Sequence, residues 1–214
     1  MNELNNLVSI VIPIYNESES IELLTKEILN VMNSNNIYFE LILVNDGSND
    51  STLQILNKLS LNIKELKVLN LRKNYGQTAA MAAGFDYTNG EIIISLDGDL
   101  QNDPNDIPKL IQTIKDGYDL VCGWRFERKD KLISRRIPSK IANKLIGFVT
   151  GINLHDYGCS LKAFKKAIVK DIKLYGELHR FLPILANIEG AKIKEIKVNH
   201  RSRIYGNSKY GIDR

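Results

Sequence analysis

Two carboxylates one residue apart, Asp97 and Asp99, flank Gly98, with Gln101 and Asp103 close behind. Glycine lets the backbone turn tightly, so both carboxylates can converge on one hard cation. A cation held by so few protein oxygens keeps open positions that suit phosphate oxygens. The natural reading is Mg²⁺ or Mn²⁺ clamping a diphosphate. Two further stretches are rich in side chains that can contact a ligand: Tyr15-Asn16-Glu17-Ser18 and Asn45-Asp46-Gly47-Ser48. Asp46 alone reads more readily as a turn or cap residue, and an isolated DGD equally as a solvated turn.

The apolar runs around these residues say what must position them. Ile92–Ser95 is the run of a buried parallel strand, and the acids that follow mark its carboxyl end, where α/β sheets bind ligands. Val8–Pro13 reads as a first strand. It is followed by a helix with Ser18 as N-cap and Ile21, Leu23, Leu24, Ile28 and Val31 inward. Phe39–Val44 is a second strand, and its loop leads to a helix with Leu53, Ile55, Leu56 and Leu59 inward. Lys67–Leu71 is a third strand. The Ala-rich segment Thr78–Tyr87 is a helix small enough to sit close against the sheet or a bound nucleotide. Pro104 starts another helix, and Tyr118–Cys122 is one more strand. Strands ending in these loops place Tyr15, Glu17 and Asp46 on one sheet edge, where a nucleoside could lie. There is no GxGxxG, GxxxxGK[ST] or HExxH, so dinucleotide oxidoreductases, P-loop NTPases and zincins lose their main support.

Composition agrees with an α/β protein of 214 residues, 43% hydrophobic. The two cysteines, Cys122 and Cys159, make no disulfide framework, and no charged-then-apolar leader precedes Val8, which points to a reducing cytosol. No apolar run approaches the roughly 18 residues that span a bilayer. The net charge of +4 hides an asymmetry: residues 1–100 carry 6 Lys+Arg against 13 Asp+Glu, and residues 101–214 carry 23 against 12. Such a basic half could face nucleic acid, anionic lipid or a phosphorylated substrate. Its aromatics are not interleaved as stacking platforms, so nucleic acid is not expected.

VSIVIPIYNES, LVNDGSNDST, LRKNYGQTAAMAAGFDYTNGEIIISLDGDLQNDP and DLVCGWR, in this order, resemble the nucleotide-sugar half of a family 2 glycosyltransferase with the GT-A fold. More narrowly they are similar to the polyprenyl-phosphate glycosyltransferases, including dolichyl-phosphate mannose synthases. The closing RIYGNSKYG at Arg203–Gly211 is similar to that branch too. The resemblance implies a single GT-A domain over 1–214, with a mainly parallel sheet, a nucleotide-sugar-binding half at 1–123 and an acceptor-binding half at 124–214. It implies nucleoside contacts at Pro13, Tyr15, Glu17, Val44 and Asp46, and a DXD motif at Asp97, Gly98 and Asp99. The metal ligands would be Asp99 and Gln101, with Asp97 either a ligand or a ribose contact. Diphosphate and acceptor-phosphate contacts would fall to Arg125, Arg135, Arg203, Ser208 and Lys209. Asp156 stands where the family carries an acid beside the acceptor, which makes Asp156 and Arg125 the catalytic candidates.

The activity so implied is inverting, metal-dependent transfer from a UDP- or GDP-sugar to a membrane polyprenyl phosphate, at the cytoplasmic face of the membrane. The rivals are a soluble or glycan acceptor, and a non-catalytic nucleotide-sugar-binding module. Residues 137–149 read as an amphipathic helix that could lie on a membrane surface, or pack on the domain's own core or on a second subunit of a homo-oligomer. The family often continues into transmembrane helices, so the chain is expected to be a short type or to continue beyond Arg214, which would anchor it in the membrane. The segment Gly176–Pro183 is expected to start a helix, and His155 and His179 to serve structure.

Overall fold

The computed structural model describes residues 7–126, 147 and 151–205. The first two strands, β1 (Val8–Ile14) and β2 (Phe39–Asn45), are buried along nearly their whole length. That is the pattern of central parallel strands covered on both faces. They pair in parallel with each other, β2 with β3 (Leu66–Asn70) and β1 with β4 (Ile92–Ser95). Beyond β4 the sheet changes sense. The strand β6 (Lys162–Lys165) lies antiparallel between β4 and β5 (Leu120–Arg125), and β7 (Ile193–Val198) runs parallel to β5 at the edge. The order is therefore β3-β2-β1-β4-β6-β5-β7, a mostly parallel mixed sheet.

Alternation along the strands sorts the core into two layers. Ile10, Ile12, Leu41 and Leu43 face one side, where they meet α1 (Ile21–Ser34), α2 (Thr52–Asn62) and α4 (Ile107–Lys115) through Leu24, Leu56 and Leu110. Val11, Ile42 and Val44 face the other, against α3 (Gln77–Asp86), α5 (Lys166–Asp171) and α6 (Leu182–Ile188). The small face of α3 sits on the sheet. A Cβ on Gly84 would come within 2.3 Å of a Val11 methyl and 3.1 Å of one on Val44, so only glycine permits this approach.

Three expectations need correction. The first helix starts at Ile21 with Ser20 at its N-cap, not Ser18, and its Leu23 is exposed rather than inward. The Ser18 amide instead donates to Asp50 on the neighbouring loop at 3.3 Å, while the Ser20 hydroxyl donates to the Glu17 carboxylate at 2.8 Å. The segment after Gly176 forms a 3₁₀ turn, Leu178–Phe181, before α6 begins with Pro183 in its first turn. The strand expected from Tyr118 begins at Leu120 and runs on to Arg125. The helix expected at 137–149 lies outside the described residues apart from Gly147.

A buried carboxylate ties the far end of the sheet together. Glu40 accepts hydrogen bonds from the Ser9 hydroxyl at 2.6 Å, the Lys67 ammonium at 2.7 Å and the Asn89 amide at 2.6 Å. Burial alone would raise its pKa, but the bonds from Lys67, Ser9 and Asn89 outweigh it and bring the group from 4.5 to about 2. A depressed carboxylate pKa stabilises the fold above about 4.5, and that stability is lost as the pH falls toward about 2. Urea unfolding across that acidic range is expected to show a loss on the order of 2 kcal/mol from this group, less than the shift alone implies because the partly exposed Lys67 pair is screened by solvent. The loss disappears in Glu40→Gln.

Candidate functional site

The carboxyl ends of β1, β2 and β4 open into one cavity of about 310 Å³. That is the size of a small-ligand pocket, placed where parallel sheets bind ligands. Its floor comes from Pro13, Tyr15 and Glu17 after β1, Asp46 after β2, and Asp97, Gly98 and Asp99 after β4. Asn74, Gly76 and Gln77 close one side, with Glu177 and Arg203 also on the wall.

Local hydrogen bonds fix each of these loops. Asn16 adopts a left-handed backbone, φ 53°, which asparagine tolerates better than most residues. Its amide donates to the Ser48 hydroxyl at 2.9 Å, and its side-chain oxygen accepts from the Asn49 amide at 2.8 Å. The Glu17 amide donates to the Thr52 hydroxyl at 2.9 Å. The loops after β1 and β2 are thus stitched together. Asp46 is buried, and its two carboxylate oxygens accept from the Tyr75 amide at 2.7 Å and the Gly76 amide at 2.9 Å.

The Asp97–Gln101 turn contains a strained residue. Leu100 is fully buried in left-handed backbone, φ 62°, a conformation that costs a branched, bulky residue on the order of 1–3 kcal/mol. The reversal it imposes lets Asp99 and Gln101 meet the same group. The Arg203 guanidinium donates to Asp99 at 2.5 Å and to the Gln101 side-chain oxygen at 3.5 Å.

Burial first, and then the charge of Asp97, push the Asp99 carboxyl up to about 6, with Arg203 pulling the other way. Asp99 thus has too little positive charge around it to ionise cheaply. Among the described residues no three His, Cys, Asp or Glu side chains form a metal-holding group by themselves. The donors here are two carboxylates and a carboxamide, all hard oxygens. They fit a hard divalent cation that takes its remaining oxygens from a bound phosphate ligand.

The structure brings Pro13, Tyr15, Glu17, Asp46, Asp97, Gly98, Asp99 and Arg203 to one cavity. Val44 instead lies in the core beneath Gly84. Arg125 and Asp156 form a separate, buried pair off the cavity wall. The Arg125 guanidinium donates to both Asp156 oxygens, Nε at 2.7 Å and Nη2 at 2.8 Å. Arg135, Ser208 and Lys209 lie outside the described residues. His155 stacks on the Trp124 ring at 4.0 Å and lies 2.6 Å from Glu195. Both cysteines are buried, and burial raises their thiols to about 12 and about 11, so neither is a nucleophile near neutral pH. Among the described residues no helix is long and apolar enough to cross a membrane.

Sequence reasoning missed Asn74, Gly76, Gln77 and Glu177 as wall residues. The signal for the first three was a polar loop, KNYGQ, between a strand and an unusually small-faced helix. For Glu177 the signal was its segment, Gly176–Pro183, which carries an acid, a histidine and an arginine and which the family resemblance places near the acceptor.

Three comparisons bear on this site. The family model described as Glycosyl transferase family 2 matches residues 9–173. Dodecaprenyl-phosphate galacturonate synthase of Rhizobium johnstonii is 46% identical over 97% of this chain, and 62% of that protein is covered. Undecaprenyl-phosphate 4-deoxy-4-formamido-L-arabinose transferase of Photorhabdus laumondii is 44% identical over 96% of this chain and 63% of its own length. The chain thus spans under two thirds of these curated relatives. A solved structure of glucosyl-3-phosphoglycerate synthase from Mycobacterium tuberculosis, in complex with Mn²⁺, UDP and phosphoglyceric acid, superposes with a TM-score of 0.70 at 18% identity. It covers 94% of this chain and 74% of the other, and it shows the fold to be GT-A.

Proposed function

The chain belongs to glycosyl transferase family 2, and from that premise we propose that it transfers a sugar from a nucleotide-diphosphate sugar to a membrane polyprenyl phosphate, with inversion at the anomeric carbon. The observation that carries the reading is the cavity where Asp46, Asp97, Asp99 and Arg203 converge at the carboxyl edge of the sheet. The names of the two relatives, each a polyprenyl-phosphate enzyme, support the acceptor class.

Tyr15 offers a ring to the base, and Glu17 and Asp46 offer acceptors to the base edge or ribose. Asp97, Asp99 and Gln101 would hold Mg²⁺ or Mn²⁺, which when bound would neutralise negative charge on the leaving diphosphate. Arg203, beside Asp99, adds a guanidinium at the same place. An oxygen of the acceptor phosphate forms the new bond to the anomeric carbon. The bond from that carbon to the diphosphate breaks, and its electron pair leaves with the nucleoside diphosphate. The acceptor oxygen is already anionic near neutral pH, so no strong base is needed. Arg125, held by Asp156, is a phosphate-positioning group rather than half of a proton relay. Arg135, Ser208 and Lys209 complete the phosphate contacts in this proposal.

Calorimetric titration with a panel of UDP- and GDP-sugars is expected to give saturable binding for one base. That binding weakens on chelation, and it weakens as the pH falls below about 6, where Asp99 takes up a proton in competition with the cation. Failure of every nucleotide sugar to bind, with metal present, would contradict the proposal.

A further inference from the structure

Three consecutive residues at the start of α3 each bind a different part of the site. The Gly76 amide donates to Asp46 Oδ2 at 2.9 Å. The Gln77 side-chain amide donates to Asp97 Oδ1 at 2.7 Å. The Thr78 hydroxyl is hydrogen-bonded to His179 Nδ1 across 2.6 Å, on the 3₁₀ turn that follows Glu177. Thr78 is buried, and α3 is pinned to the sheet through Gly84, so this tripeptide rests on a rigid base.

From this geometry we infer that Gln77 is a positioning residue for the metal and diphosphate: it occupies one oxygen of Asp97 and so aims the other at the cation. The inference rests on the function proposed above. A carboxylate on a short side chain rotates between several orientations, and each presents a different oxygen to a ligand. A donor fixed on Oδ1 removes that freedom and commits Oδ2. The donor is itself held, because the backbone on one side of Gln77 is bound to Asp46 and the side chain on the other to His179. Nucleoside contact at Asp46 and cation contact at Asp97 therefore share one support, a loop and helix start only four residues long from Tyr75 to Thr78. The bond also explains the residue type. Glutamate would add a further negative charge beside Asp97, Asp99 and Glu17, and a shorter or apolar side chain would leave Asp97 without this donor.

Residues that orient metal ligands from behind typically change metal affinity by about 10–100-fold when replaced. The test is Mn²⁺ titration followed by electron paramagnetic resonance, with UDP and with GDP, on wild type, Gln77→Ala and Gln77→Met. Nucleotide titration in chelator and thermal unfolding are measured on the same three proteins. The expected result is Mn²⁺ binding weakened about tenfold or more in both variants, with nucleotide affinity in chelator and melting temperature close to wild type. Unchanged Mn²⁺ affinity in both variants, beside a wild type that binds the ion, would overturn the role of Gln77 and leave the proposed function standing. A parallel loss of metal-free nucleotide binding would also overturn it, since the residue would then merely shape the pocket. A wild type that binds neither Mn²⁺ nor nucleotide would overturn both readings together.

Discussion

Asp99→Ala is expected to lower sugar transfer by about 10²- to 10³-fold in kcat, the usual loss when one preorganised electrostatic group is removed from a transition state. Of the two acids in the turn, Asp99 is the more consequential. Asp99 is the one that lies against Gln101 and the Arg203 guanidinium, where the proposed cation and diphosphate meet. The same substitution is expected to leave folding stability near wild type. Ionising Asp99 in its buried place beside Asp97 is unfavourable, as its carboxyl near 6 records, so its removal relieves a cost while Arg203 loses a partner. Steady-state transfer together with urea unfolding on the purified variant separates the two effects. A variant that unfolds early and retains its turnover would show Asp99 to be a structural acid.

Asp156→Ala carries the largest expected effect on stability, about 3 kcal/mol or more. The Arg125–Asp156 pair is nearly closed to solvent, with 14% and 8% of the side chains exposed, and the contact is bidentate. Truncating one member of such a pair leaves a charge that has lost its counter-ion in a low-dielectric setting, which typically costs about 3–5 kcal/mol. The bond also closes the sheet locally. Arg125 ends β5, and Asp156 sits in the turn whose amide donates to Glu195 of β7 at 2.8 Å. Asp156→Asn keeps a hydrogen-bonding oxygen and is expected to unfold less readily than the alanine variant. If Arg125 positions the acceptor phosphate through this pair, the asparagine variant also turns over more slowly. Wild-type turnover in Asp156→Asn would remove the pair from the mechanism.

The parts of this protein that could be read in advance are those where local pattern and chemistry coincide. β1, β2 and β4 are apolar runs that end abruptly in Tyr15-Asn16-Glu17, Asp46 and Asp97-Gly98-Asp99, and the cavity lies at those ends. A strand buried on both faces leaves little freedom in what its sequence can be, so its end is legible too. The place of β6 was not legible. Its insertion antiparallel between β4 and β5 is decided by pairing across the whole sheet, and Lys162–Lys165 carries no sign of its direction. The start of α1 was misplaced for a related reason: Ser18 has a capping residue's chemistry, but its amide is taken by Asp50 from another loop. Gln77 is the clearest such case. Its meaning depends on Asp97, twenty residues further along the chain, and only folding brings the two together. Asp156 and Arg125 each read in the sequence as groups that act on a ligand, and only the fold shows their mutual bond.

The central claim is that the carboxylates at the strand ends work on a nucleotide-diphosphate sugar for a phosphate acceptor. It is tested most directly by incubating the protein with radiolabelled UDP- and GDP-sugars, Mg²⁺ or Mn²⁺, and polyprenyl phosphate in liposomes, then extracting the lipid. The account predicts label in the lipid phase from one donor class, absent after chelation and reduced at least about a hundredfold in Asp99→Ala. Metal-dependent donor hydrolysis without lipid product would point to a soluble acceptor on the same fold. Transfer that persists undiminished in Asp99→Ala would contradict the account.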